Sequence, residues 1–194
     1  EATSVFKKEL IKKGADYIMY MACASGQGGY DQIITNPTEK QLKNGDILII
    51  DTGSTLNGYF CDFDRNFGFG KISQTSLDAY AKLWEAIEST LEIIKPGINC
   101  SEIYSSLSKY LLPENNNNGS VGRMGHGIGL QLTEPPSIMR NDQTIIEKNM
   151  IITLEPSIEL SKNVMLVQEE NILITEDGFK LLSTRTPEKL PIID

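Results

Sequence analysis

Its 194 residues, 40% of them hydrophobic and 23% charged, suit one globular domain with room for a sizeable core. With 18 Lys and Arg against 26 Asp and Glu the formal net charge is −8, and no basic cluster marks a groove, so nucleic acid is not an expected partner. No apolar run approaches the roughly 18 residues of a membrane span. The opening Glu1-Ala2-Thr3 carries no signal peptide, so no membrane partner is expected and the expected compartment is cytoplasmic.

Val5, Phe6, Leu10 and Ile11 recur at helical spacing among lysines, and Gly14 stops that helix. The run from Tyr17 to Met21 reads as a short strand, followed by a Gly-rich turn from Gly26 to Gly29. Gly45-Asp46 then turns into Ile47-Leu48-Ile49-Ile50, a buried-strand pattern ending at Asp51. A bend from Gly53 to Gly58 reverses the chain, and Tyr59 to Phe63 forms the returning strand. Two helices follow. The first sets Leu77, Tyr80, Trp84, Ile87, Leu91 and Ile94 on one face and ends before Pro96-Gly97. The second begins at Asn99, with Glu102 completing a capping box, carries Ile103, Leu107 and Leu111, and stops near Pro113. The run from Asn115 to Gly119 is too polar and turn-prone for regular structure and reads as a surface loop.

The last third repeats the logic of the first. Asn149 to Leu154 is a strand pattern ending at Glu155-Pro156; Val164 to Val167 runs as a strand into Glu169, and Ile172 to Thr175 continues it to a turn at Asp177-Gly178. Each half thus offers a β-hairpin with a carboxylate on each arm, Asp51 and Asp62 in the first, Glu155 and Glu169 in the second.

Apolar strands do not hold lone carboxylates cheaply, because desolvating an unpaired charge costs several kcal/mol or neutralises the group. The arginines, Arg65, Arg123, Arg140 and Arg185, are too few to pair with every such acid. Two divalent cations would balance four carboxylates, and oxygen ligands with one imidazole, His126, suit Mn²⁺, Co²⁺, Fe²⁺ or Zn²⁺. Such a pair lowers the pKa of a bridging water and clamps a substrate carbonyl oxygen. Taken singly, each residue has a plainer reading: Asp51 and Asp62 as strand-end turn acids, Glu155 as a solvent-facing strand end, Glu169-Glu170 as an exposed acid pair, His126 as a hydrogen-bonded core imidazole. Cys23, Cys61 and Cys100 are odd in number, widely spaced and without a Cys-x-x-Cys, which argues against a disulfide framework or a structural zinc site and favours a reducing compartment.

Asp51-Thr52-Gly53, Gly58-Tyr59-Phe60-Cys61-Asp62-Phe63-Asp64-Arg65, Gly125-His126-Gly127-Ile128-Gly129, Thr153-Leu154-Glu155-Pro156 and Gln168-Glu169-Glu170-Asn171 resemble, in order, the ligand motifs of the pita-bread metallopeptidases. That family includes methionine aminopeptidase, aminopeptidase P, prolidase and creatinase. The resemblance implies an α+β pita-bread fold, a pseudo-twofold antiparallel sheet with flanking helices. It also implies two divalent metal ions, Mn²⁺ first among them. Asp62 and Glu169 would bridge both metals, Asp51 would bind one, and His126 and Glu155 the other. A metal-bridging hydroxide would attack the scissile carbonyl, with Glu155 passing the proton to the leaving amine. A homodimer is implied as well. Family domains begin with a further helix and often follow an N-terminal domain, so residues 1–194 read as a trimmed catalytic domain.

The chain departs from this pattern at two histidines. None stands before the Asp51 strand, and Thr133 occupies the second position, in Thr133-Glu134-Pro135-Pro136. Threonine can donate a hydrogen bond to a substrate oxygen but cannot relay a proton as imidazole does. Arg123 and Arg140 flank this loop, as surface residues or as grips for a substrate carboxylate. Arg65, beside Asp62, is either an exposed residue or one that orients the neighbouring carboxylates. Asp64 stands where the family often has Thr, a substitution the pattern does not explain.

The leading expectation is a metal-dependent hydrolase of the Xaa-Pro dipeptidase or aminopeptidase type, acting on a peptide or small amide. The alternatives are a small-molecule hydrolase or lyase on the same scaffold, which the missing histidines suggest, and a non-catalytic binding module.

Overall fold

The first third of the chain folds into three long strands, the central one a continuous buried run, that carry Asp51 and Asp62. In the computed structural model, which describes residues 1–111 and 122–193, helix α1 (Ala2–Lys12) leads into β1 (Tyr17–Gln27), β2 (Asp46–Leu56) and β3 (Tyr59–Phe69). β2 pairs antiparallel with both neighbours, and every residue from Asp46 to Thr55 is buried. The sequence pattern ends this strand at Asp51, but it continues to Leu56. Thr52 to Thr55 keep their ladder partners Phe63 to Phe60, and reversal needs only Asn57 and Gly58, at φ 52° and 79°. Both positive angles match the tight hairpin turn that asparagine-glycine favours. Asp51 and Asp62 therefore lie inside strands, not at strand-end turns.

Helices α2 (Gln74–Leu91) and α3 (Cys100–Leu111) cover one side of the core. Ser73 caps α2 by accepting the Ser76 N–H at 3.2 Å. The Asn99 side chain accepts the Glu102 N–H at 2.9 Å, and Glu102 accepts that of Asn99 at 3.0 Å, the expected reciprocal box. α2 ends at Leu91, earlier than its apolar face suggests. Beyond it, Ile93 and Ile94 donate to Thr90 and Leu91 in a tightened turn that still buries Ile94 before Pro96. The Asn115–Gly119 segment lies outside the described residues.

The second half contains β4 (His126–Gly127), β5 (Glu134–Ser137), β6 (Ile151–Leu154), β7 (Ser157–Ser161), β8 (Val164–Val167), β9 (Glu170–Ile174), β10 (Phe179–Leu181) and β11 (Ile192–Ile193). One sheet runs β1-β2-β3-β11, a second β10-β9-β6-β4-β5, and β7-β8 form a separate pair. The sequence reads Val164 to Thr175 as one arm of a hairpin. Instead the chain leaves the second sheet after β6, makes the β7-β8 pair and returns as β9, so β6 and β9 pair across an insertion. Ile47, Ile49, Leu83, Ile87, Ile103, Leu107, Ile152, Leu154, Ile172 and Ile174 meet in the common core. Side-chain amides stitch the halves. Asn171 accepts the Asp62 N–H at 3.2 Å and donates to the Asp62 carbonyl, while Asn66 donates to the Val167 carbonyl at 2.5 Å. Backbone groups buried between the sheets are thereby satisfied without a continuous ladder. Cys23, Cys61 and Cys100 are free, and no described helix is long and apolar enough to cross a membrane.

Candidate metal centre

Strand register fixes the first two acids. Asp51 pairs opposite Asp64, and Gly53 opposite Asp62, so these four residues share one face of the β2-β3 hairpin. Asp51 and Asp62 are buried. The two glutamates come from strand ends: Glu155 follows β6, its N–H held by the Met124 carbonyl at 2.9 Å, and Glu169 immediately precedes β9. His126 opens β4. Its N–H donates to Thr153 Oγ1 at 3.2 Å, so the threonine of the Thr-Leu-Glu-Pro motif anchors the histidine backbone.

Asp62, His126 and Glu169 converge. Each offers one ligand atom, and these atoms all lie within 4.8 Å of one another in a buried cluster. His126 Nδ1 lies 2.9 Å from the Gly127 carbonyl, which fixes Nδ1 as the protonated nitrogen. Nε2 is left with its lone pair 3.6 Å from Asp62 Oδ2, the tautomer a metal ligand requires. Asp51 and Glu155 adjoin this trio, since the charges of both Asp62 and Glu155 act on Asp51, and those of Asp62 and His126 act on Glu155.

Burial, with the neighbouring charges of Asp62 and Glu155, raises the Asp51 carboxyl to about 7 against a lowering hydrogen bond from Tyr20. Burial and then Asp62 raise Glu155; burial, Asp62 and Asp64 hold Glu169 well above the carboxylate range. Glu169 Oε1 has no hydrogen-bond partner among the described residues. The plainer reading of Glu169-Glu170 as an exposed pair fails, since they are 1% and 0% exposed. An orphaned buried carboxylate oxygen, a free imidazole lone pair and mutually repelling acids are the donor set that divalent cations satisfy.

Tyr20 escapes the sequence reading. Its hydroxyl donates to Asp62 Oδ1, and its ring lies over Gly53, where any side chain would collide with it. Burial and the charges of Asp62 and Asp51 push this phenol far above its usual range, so it remains a donor. The only signal was a tyrosine in an apolar strand, and a register shift between Ile18 and Tyr20 hides its face from simple alternation. Arg65 donates to the Asp64 carbonyl at 3.0 Å and the Glu169 carbonyl at 2.6 Å, so it holds the backbones that bear these acids.

Thr133 is exposed, just before β5. Its neighbour Leu132 packs with Tyr20 against Gly53, and the Gly129 carbonyl accepts the Phe60 N–H at 2.8 Å, so this loop packs against the hairpin face. Arg123 and Arg140 are exposed. The charge of Arg123 lowers the Glu155 carboxyl, which puts it near the site; no such tie links Arg140 to the cluster among the described residues.

The profile of metallopeptidase family M24 matches residues 1–176. An Xaa-Pro dipeptidase of Pyrococcus furiosus is 28% identical over 200 residues, covering 98% of this chain and 57% of the relative. The solved prolidase from Pyrococcus furiosus has a TM-score of 0.85 at 27% identity, over 95% of this chain and 55% of that one. Dipeptidase PepE from Mycobacterium ulcerans has a TM-score of 0.88 at 24% identity, over 97% and 51%, a likeness of fold. The chain spans about half the length of the curated relatives it matches. Its architecture is the expected α+β pita-bread fold.

Proposed function

The chain belongs to metallopeptidase family M24, and on that premise we propose that it is the catalytic domain, over residues 1–194, of an Xaa-Pro dipeptidase or aminopeptidase-type hydrolase. The observation that carries this reading is the buried convergence of Asp62, His126 and Glu169 within 4.8 Å. Asp51 and Glu155 would complete the set, so that two divalent ions would be held by Asp51, Asp62, His126, Glu155 and Glu169. Mn²⁺ is the preferred ion for a site of oxygen ligands and one imidazole. When bound, the ions polarise the scissile carbonyl and acidify an attacking water.

The protein's own groups do the rest. Glu155, whose carboxyl burial and Asp62 raise, accepts a proton and passes it to the leaving amine. Tyr20 holds Asp62 in its ligand orientation through its hydroxyl. Thr133 donates a hydrogen bond to the substrate carbonyl, and Arg123, beside Glu155, grips a substrate carboxylate, with Arg140 as a second grip farther out. Relatives named for Xaa-Pro dipeptidase activity support a peptide over a small-molecule substrate, despite the missing imidazoles. The protein works as a cytoplasmic homodimer. A library of Xaa-Pro dipeptides and tripeptides, with added Mn²⁺ and with chelator, tests the reading. Chelator-sensitive cleavage is expected; a protein that binds Mn²⁺ yet cleaves none of them sinks the peptidase assignment.

A further inference from the structure

The five expected ligands leave one acid of the same face unexplained. Asp64 is 1% exposed, and neither of its carboxylate oxygens has a hydrogen-bond partner among the described residues. It stands directly opposite Asp51 in the β2-β3 ladder and two residues from Asp62, so its side chain leaves the same face as both. Burial and then the charges of Asp51, Glu155 and Asp62 raise its carboxyl, against a lowering by Arg65, and its own charge acts on Glu169.

The groups that could satisfy it are engaged elsewhere. The Tyr30 hydroxyl donates to Asn66 at 3.0 Å and accepts the Val167 N–H at 2.7 Å. Arg65 spends its guanidinium on the carbonyls of Asp64 and Glu169 and on the Glu170 carboxylate at 3.4 Å. Like charges directly opposite each other in a sheet repel, and a buried carboxylate without donors is costly. A folded chain that keeps Asp64 here has a use for its charge.

We infer that Asp64 is a sixth member of the metal-binding set, adding a carboxylate on the Asp51 side of the centre. This rests on the metal-centre reading above and goes beyond the ligands the family motifs supply. Five carboxylates around one imidazole make the site richer in hard oxygen donors than four, which tightens its hold on Mn²⁺. Removing the acid has two opposite consequences. The metal-free protein loses a buried acid that has no donors, while the loaded protein loses a ligand.

Titration calorimetry with MnCl₂, and metal content after dialysis, would compare the wild-type protein with Asp64→Asn and Asp64→Thr; thermal melting would follow each in chelator. The expected result is at least tenfold weaker Mn²⁺ binding in both variants, with a metal-free melting temperature equal to or above wild type. Less than tenfold weakening would overturn the assignment, as would weakening accompanied by a lower metal-free melting temperature, which marks structural damage. A wild-type protein that binds no Mn²⁺ would overturn the metal centre itself, and Asp64 with it.

Discussion

Glu169 and Glu170 are adjacent and equally buried, yet the regions they enter are opposites. Glu170 Oε1 accepts from Arg185 at 3.1 Å and from the Thr186 N–H at 2.8 Å, and Oε2 from Arg65 at 3.4 Å and Ser183 at 3.3 Å. Arg185 also stacks 5.1 Å over Trp84. Adjacent residues in an extended chain point to opposite sides. Glu169 therefore turns into the acids of the hairpin face, where Oε1 finds no donor. One region is a finished ion network that holds the fold together; the other lacks donors, and on the proposed reading cations complete it. Burial alone does not distinguish structural from functional acids, but the supply of donors does.

Substitutions separate the two regions. The largest effect should fall on turnover: Glu155→Ala should lower kcat/KM by about 10²- to 10⁴-fold, the usual worth of a positioned acid-base group, without unfolding the protein. Near-normal rates would remove Glu155 from the chemistry. Next, Glu170→Ala should destabilise by about 3–5 kcal/mol in urea melts, because Arg65 and Arg185 lose their buried partner. Glu169→Gln should leave metal-free stability unchanged or higher. Equal losses in the two variants would erase the contrast.

A smaller effect separates metal-free from loaded protein. Saturating Mn²⁺, at about 100 times its Kd, should stabilise by roughly 2.7 kcal/mol. Burial raises the Asp51 carboxyl to about 7, above the roughly 3.9 of an unfolded aspartate. The metal-free folded chain thus keeps a proton the unfolded chain has released. That contribution is complete below about pH 4 and lost as pH rises through 7. Melting in chelator should therefore weaken from pH 5 to pH 8, whereas Mn²⁺ stabilisation should grow, because its ligands must be deprotonated. Parallel pH profiles with and without Mn²⁺ would contradict the assignment of Asp51 to the centre. The smallest effect is expected at exposed Thr133: Thr133→His should alter the pH profile of peptide cleavage while stability stays within about 0.5 kcal/mol. An unchanged profile would place Thr133 outside the site.

Much of the candidate site was legible in the primary structure. The convergence of Asp62, His126 and Glu169 follows motifs whose spacing survives because strand register and short turns translate sequence distance directly into position. The capping box of α3 was equally legible, being local. The β7-β8 insertion was not, because apolar runs look alike whether they pair with one sheet or another. Tyr20 was missed because a register shift moves it to a face that alternation does not give.

By itself, the sequence determined the order of the candidate ligands, the carboxylate on each hairpin arm and the helical cover, all set by residue type and local spacing. Only the tertiary structure decided which acids have partners. Glu170 and Glu169 differ by their surroundings alone, and Asp64 became a member of the site only when its oxygens proved donor-free. Satisfying a buried charge depends on groups more than a hundred residues away, as with Arg65 and Glu170, and no local pattern records where those groups will lie.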